Sequence, residues 1–213
     1  MKYSRNSFSR FVPILLVIVI TIVAVAAVIA IGRSILGGGN QPTDPVGVVD
    51  DGRTALLTTD ISRSVRLTVR GPIVADESFR SYRVTVSPES RVMTTYEGYL
   101  EKPLDTKSFG NNVPAYEEFV YALDKRKMMD SRDADEDLET LRGVCADKKL
   151  YEFETLVNGE TVKRLWTSDC DGAKGTALAN VGEIMEMFLK QIPEGRKMAN
   201  DVGLAQTEAI FRL

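Results

Sequence analysis

An uninterrupted apolar run near the N-terminus constrains this chain more than any other feature. From Val12 to Ile31 no residue is charged, and Thr21 is the only clearly polar side chain. A helix of that length, rising about 1.5 Å per residue, covers about 30 Å, the hydrocarbon thickness of a bilayer. Pro13 falls in the first turn, where a missing N–H costs little. The apolar core of a cleaved leader is shorter, about 7 to 15 residues, and ends in a small-x-small site. Here the run closes on Ala30, Ile31, Gly32 and Arg33 without that signal, and no cysteine follows it to accept a lipid. The expectation is an uncleaved signal anchor, a transmembrane helix over residues 11–32 whose first partner is the lipid bilayer.

Charge gives the anchor a direction. Lys2, Arg5 and Arg10 precede the run with no acid among them, and Arg33 is the only base close behind it. Basic residues stay on the cytoplasmic side, so residues 1–10 form a cytoplasmic segment and the bulk of the chain lies outside the cytoplasm. The expected localisation is the cell membrane, single-pass. Residues 33–53 hold Gly37, Gly38, Gly39, Pro42, Pro45 and Gly47, the chemistry of a linker. Residues 54–213 remain for one extracytoplasmic domain. It is acidic: all 30 Asp and Glu lie beyond residue 43, against 27 Lys and Arg in the whole chain, of which Lys2, Arg5, Arg10 and Arg33 lie before it. That balance argues against nucleic acid as a partner, which calls for a basic footprint.

The domain opens with strands. Val65, Leu67 and Val69 alternate with Arg66, Thr68 and Arg70, and Tyr82, Val84 and Val86 alternate with Arg83 and Thr85. Ser87-Pro88-Glu89-Ser90 reads as a turn, followed by a strand from Val92 to Leu100. The period then changes. Tyr116, Phe119, Val120 and Leu123 give one apolar face to a helix over about 113–129, started by Asn112 and Pro114. Asn158-Gly159 marks a tight hairpin of type I′. Counting outward from it places Tyr151 opposite Trp166, Phe153 opposite Arg164, and Glu154 opposite Lys163. Tyr151, Phe153, Val157, Val162 and Trp166 then form the core face. A second amphipathic helix, over about 176–192, carries Leu178, Val181, Met185, Phe188 and Ile192 and stops at Pro193; the tail 196–213 has mixed signals. The fold class is α+β: an antiparallel sheet with two amphipathic helices packed on one face, behind an N-terminal transmembrane helix.

Cys145 and Cys170 are the only cysteines. An even count in an extracytoplasmic domain favours a disulfide, and the hairpin brings the two near one another at its open end. Closing that loop contributes about 3 to 4 kcal/mol. The chain has no histidine. That removes Ser-His-Asp and Cys-His catalysis and nearly all catalytic zinc sites, and no phosphate loop, dinucleotide fingerprint or nucleophile elbow is present. No catalytic residue and no cofactor is assigned. Asp133, Asp135 and Asp137 resemble the opening of a calcium loop, but Leu138 replaces its glycine and Val144 its bidentate acid, so a solvated loop accounts for them. Arg66, Arg70 and Arg83 share the polar face of the first strands, where they form a possible anion-binding face toward an anionic cell-wall polymer. The alternative is a charged face that discourages edge-to-edge aggregation.

A basic N-terminus and a long apolar helix leading to a disulfide-containing head also mark type IV pilins. Their processing motif is not matched, since Ser7-Phe8 and Val12 stand at its positions. The segments Gly110-Asn111-Asn112-Val113-Pro114-Ala115-Tyr116-Glu117-Glu118-Phe119 and Leu165-Trp166-Thr167-Ser168-Asp169-Cys170 resemble those of uncharacterised single-pass membrane-anchored proteins of small-genome bacteria, a resemblance that implies no activity. Two classes of function remain. One is a non-enzymatic binding or structural module of the cell envelope, whose partner is an envelope protein or a cell-wall component. The other is a histidine-free envelope hydrolase using carboxylates.

Overall fold

The computed structural model of the chain describes residues 52–132 and 141–205. The expected transmembrane helix and nearly all of the expected linker lie outside those residues, as do Asp133, Asp135 and Asp137. Among the described residues no helix is long and apolar enough to cross a membrane.

The elements are α1 (Arg53–Leu57), β1 (Arg63–Arg70), a 3₁₀ turn (Asp76–Ser78), β2 (Arg80–Val86), β3 (Ser90–Glu97), β4 (Lys102–Gly110), α2 (Val113–Asp124), β5 (Leu150–Val157), β6 (Glu160–Ser168), α3 (Val181–Lys190) and α4 (Gly195–Asp201). The class is α+β. One six-stranded sheet, antiparallel throughout, runs in the order β4-β3-β2-β1-β5-β6. The period-two strands give it two unlike faces. Val65, Leu67 and Val69 of β1 stand in line with Tyr82, Val84 and Val86 of β2 and with Tyr151 and Phe153 of β5. These side chains are buried, in one cluster with Tyr116, Phe119, Val120 and Leu123 of α2 and Ile184, Met185, Phe188 and Leu189 of α3. Phe119 and Phe188 meet edge to face, with ring centroids 5.2 Å apart.

Local signals place both helices. Asn112 caps α2, its side chain accepting a hydrogen bond from Ala115 N at 3.0 Å, with Pro114 in the first turn. Asn180 caps α3 in the same way, through Glu183 N at 3.3 Å. Both helices are shorter than their apolar spacing suggests. α2 stops at Asp124, and Lys127, at φ 61°, turns the chain away. Residues 176–178 are not helical but lie along β6: Ala177 forms an isolated antiparallel bridge with Ser131, its N donates to Trp166 O at 2.9 Å, and Trp166 N donates to Thr176 Oγ1 at 3.1 Å. Gly175 makes that approach possible, because a Cβ there would stand 2.2 Å from Trp166 O.

The hairpin differs from its expected register in an instructive way. Asn158 and Gly159 both have positive φ, as the tight turn requires, and Val157 pairs with Glu160. Leu156 then pairs with Thr161 but Thr155 with Lys163, so Val162 is the extra residue of a bulge. Beyond it every β6 side chain changes face. Val162 is 43% exposed, not core. Leu165 takes the core position opposite Phe153, Arg164 pairs with Glu154, and Trp166 lies opposite Glu152 on the other face of the sheet.

Two core phenols have no hydrogen-bond partner: Tyr82 Oη and Tyr116 Oη. Burial pushes each phenol's pKa well above its ordinary value near 10. The folded chain therefore resists their ionisation, while the unfolded chain ionises them freely above about pH 10. Their titration therefore takes nothing from stability below that pH, and stability falls as pH rises from it toward the higher folded-state values. Replacing both by phenylalanine is expected to raise the free energy of unfolding by about 1 kcal/mol per site at pH 8, because an unsatisfied buried hydroxyl is removed. It also removes their share of the alkaline loss. Urea titrations at pH 8 and pH 10.5 measure both effects.

Candidate functional site

The second face of the sheet is polar and almost fully paired. It is built where β1 and β5 run side by side, Arg66 opposite Glu154 and Arg70 diagonal to Glu152, which stands opposite Thr68. Arg70 Nε donates to Glu152 Oε1 at 2.6 Å, and its Nη1 lies 3.6 Å from Glu101. Arg83 Nη2 reaches Glu101 at 3.2 Å, and its guanidinium sits 5.6 Å over the ring of Tyr96. Arg66 Nη1 is 3.5 Å from Glu154, and Arg164 Nη1 is 3.9 Å from Glu152. Burial works against the charged form of Arg70, but the hydrogen bond and charge of Glu152, with Glu101 and Glu154 behind it, outweigh this and raise its pKa. Arg66, Arg70 and Arg83 thus share one face, as the alternation in β1 and β2 suggests. Each is matched by a carboxylate from β5 or from the β3–β4 turn. The Nε atoms of Arg66 and Arg83 are buried without a hydrogen-bond partner.

At the Arg70 end of this face the lattice opens into a cleft of about 600 Å³. Its walls are loops, each tied down. Gly71 N donates to Arg80 O at 2.9 Å, and Ile73 N donates to Ala146 O at 2.7 Å. Tyr99, from the β3–β4 turn, stacks on Phe79 with centroids 4.1 Å apart. Its hydroxyl donates to Val74 O at 2.8 Å and accepts from Val74 N at 3.0 Å, so the ring is fixed at both ends. Asp76 holds the same turn by accepting from Tyr99 N at 2.8 Å. The third wall is the loop Leu141, Arg142 and Gly143, which runs into Cys145.

Cys145 and Cys170 form a disulfide with a Cα–Cα distance of 5.5 Å. It fastens the Arg142 loop to the chain leaving β6. The carboxyl of Asp147 stands beside Sγ of Cys170, but both sulfurs are spent on the bridge, so this cluster offers no metal site.

The cleft combines an apolar wall (Ile73, Phe79, Tyr99, Leu150) with three guanidinium groups, Arg70, Arg142 and Arg164. Glu152, 4% exposed at its floor, is the one carboxylate among its described lining residues. Ile73, Val74 and Tyr99 stay partly open to solvent beside Leu100, which is 96% exposed. Spacing in the sequence points to Arg70 but not to Arg142, Arg164 or Glu152. The one available signal is complementary charge at period two, Arg66 and Arg70 in one strand and Glu152 and Glu154 in another. No known family model matches this chain, and no curated protein matches it.

Proposed function

We propose that this chain is a membrane-anchored extracytoplasmic protein, a non-enzymatic binding module of the cell envelope. The observation that carries the reading is the Cys145–Cys170 disulfide, which uses both cysteines of the chain and ties down a wall of the cleft. Structural disulfides persist in oxidising compartments and are rare in the cytosol. The uncharged stretch Val12–Ile31, with bases before it, supplies an anchor of suitable length and direction. In this reading the two helices and the sheet form a scaffold, and the loops at the Arg70 end do the binding. The partner is an envelope protein or a cell-wall component. The other reading, a hydrolase working through carboxylates, draws less support: an acid pair is needed, and the described cleft lining holds Glu152 alone, engaged by Arg70.

Protease added to intact cells tests the topology. The domain is expected to be digested from outside while a short N-terminal fragment survives. A domain that resists until the membrane is broken would overturn the reading.

A further inference from the structure

The cleft beside Arg70 has a more specific chemistry than a general binding surface. Its size falls in the range of small-molecule sites, about 300 to 1,000 Å³. Its cations are unequally engaged. Arg70 is committed to Glu152 at 2.6 Å and Glu101 at 3.6 Å. Arg164 is 45% exposed, and its Nη1 lies a long 3.9 Å from Glu152 Oε2. Arg142 is exposed and makes no ion pair among the described residues. Two guanidinium groups of the lining therefore have capacity for a further anion, and their planar forks suit carboxylate and phosphate oxygens. The same lining holds an apolar shelf, Phe79 stacked on a Tyr99 whose hydroxyl is held by Val74. An inorganic ion would leave that shelf wet, and a neutral ligand would leave the arginines unanswered.

We propose that the cleft binds a small amphipathic anion: a carboxylate or phosphate monoester head clamped by Arg142 and Arg164, with an aromatic or aliphatic body against Phe79 and Tyr99. This rests on the reading of the chain as a binding module and names its ligand class. The fixed shelf lowers the ordering cost of binding. The same head-and-body chemistry belongs to a soluble anion and to an anionic lipid.

The test is equilibrium dialysis of the full chain in phosphatidylcholine vesicles, with phenyl phosphate and 4-phenylbutyrate as probes and 4-phenylbutanol as the uncharged control. Both anions are expected to bind saturably and about tenfold more tightly than the alcohol. Arg142→Glu, in an exposed loop, is expected to weaken the anions about tenfold and leave the alcohol unchanged. Vesicles doped with phosphatidic acid separate the two sources. Displacement of phenyl phosphate assigns the site to a lipid head group, and undiminished binding assigns it to a soluble anion. Anions that bind no better than the alcohol, or an Arg142→Glu chain that binds them as the parent does, overturn the proposal. Either failure leaves the protease result standing, since topology does not depend on the ligand.

Discussion

Arg70→Met is expected to lower the free energy of unfolding by about 3 kcal/mol. Glu152 is the reason. Its side chain is 5% exposed and takes its closest hydrogen bond, 2.6 Å, from Arg70. Without that partner a buried carboxylate keeps, among the described residues, Arg164 at 3.9 Å. Breaking a buried pair from one side typically costs about 3 to 5 kcal/mol, because it strands a charge; the partial exposure of Arg70 places this case at the low end. Removing both charges strands nothing, so Arg70→Met with Glu152→Leu is expected to recover most of the loss. Urea unfolding of the two single variants and the double variant closes the cycle. Losses that simply add would mean that the two residues are not energetically coupled.

The disulfide gives the second large effect. Its ends are 25 residues apart in sequence. For a loop of that length the chain-entropy relation gives a stabilisation of about 3.5 kcal/mol. Cys145→Ser with Cys170→Ser is expected to lose about that much in a two-state unfolding experiment. The loss has a local counterpart. The Arg142 loop hangs on this bridge, so limited proteolysis is expected to cut between 141 and 149 in the double variant and to spare the oxidised parent. A variant as stable and as resistant as the parent would show that the bridge constrains neither state.

What could be read directly from the sequence follows from how local each cause is. The alternation in β1 and β2 names the core face and puts Arg66, Arg70 and Arg83 together on the other, because side-chain direction in a strand depends only on parity. Asn112, Pro114 and Asn158-Gly159 mark their helix start and turn through their own backbone preferences. The Val162 bulge has no such signature. It depends on how β6 fits β5 as a whole, and one extra residue sends Trp166 to the opposite face from its expected place. β4 is equally hard to see. As an edge strand it buries little, and Lys102, Pro103, Asp105 and Lys107 interrupt any alternation while discouraging further pairing. The second helix is shortened because Thr176 and Ala177 are held by hydrogen bonds to Trp166 and a bridge to Ser131, a tertiary demand that outweighs an apolar spacing.

The cleft was the least legible part. Its residues come from the end of β1, two turns, a loop and β5–β6, and no window of the sequence contains more than a few of them. The carboxylates that answer the arginines are similarly distant: Glu101 sits in a turn at φ 55°, and Glu152 lies 82 positions from Arg70. Even so, the matched lattice and the apolar shelf explain each other. Pairing holds the arginines of the sheet in place, and Arg70, Arg142 and Arg164 line the same cleft as the shelf.

The redox state of the two cysteines in living cells tests the central claim, a disulfide-fastened binding domain held outside the cytoplasm, most directly. Cells are quenched in acid, free thiols are alkylated, the protein is reduced, and newly exposed thiols are labelled with a second reagent of different mass. Cys145 and Cys170 are expected to carry only the second label. The first label on both residues would place the domain in a reducing compartment and contradict the account.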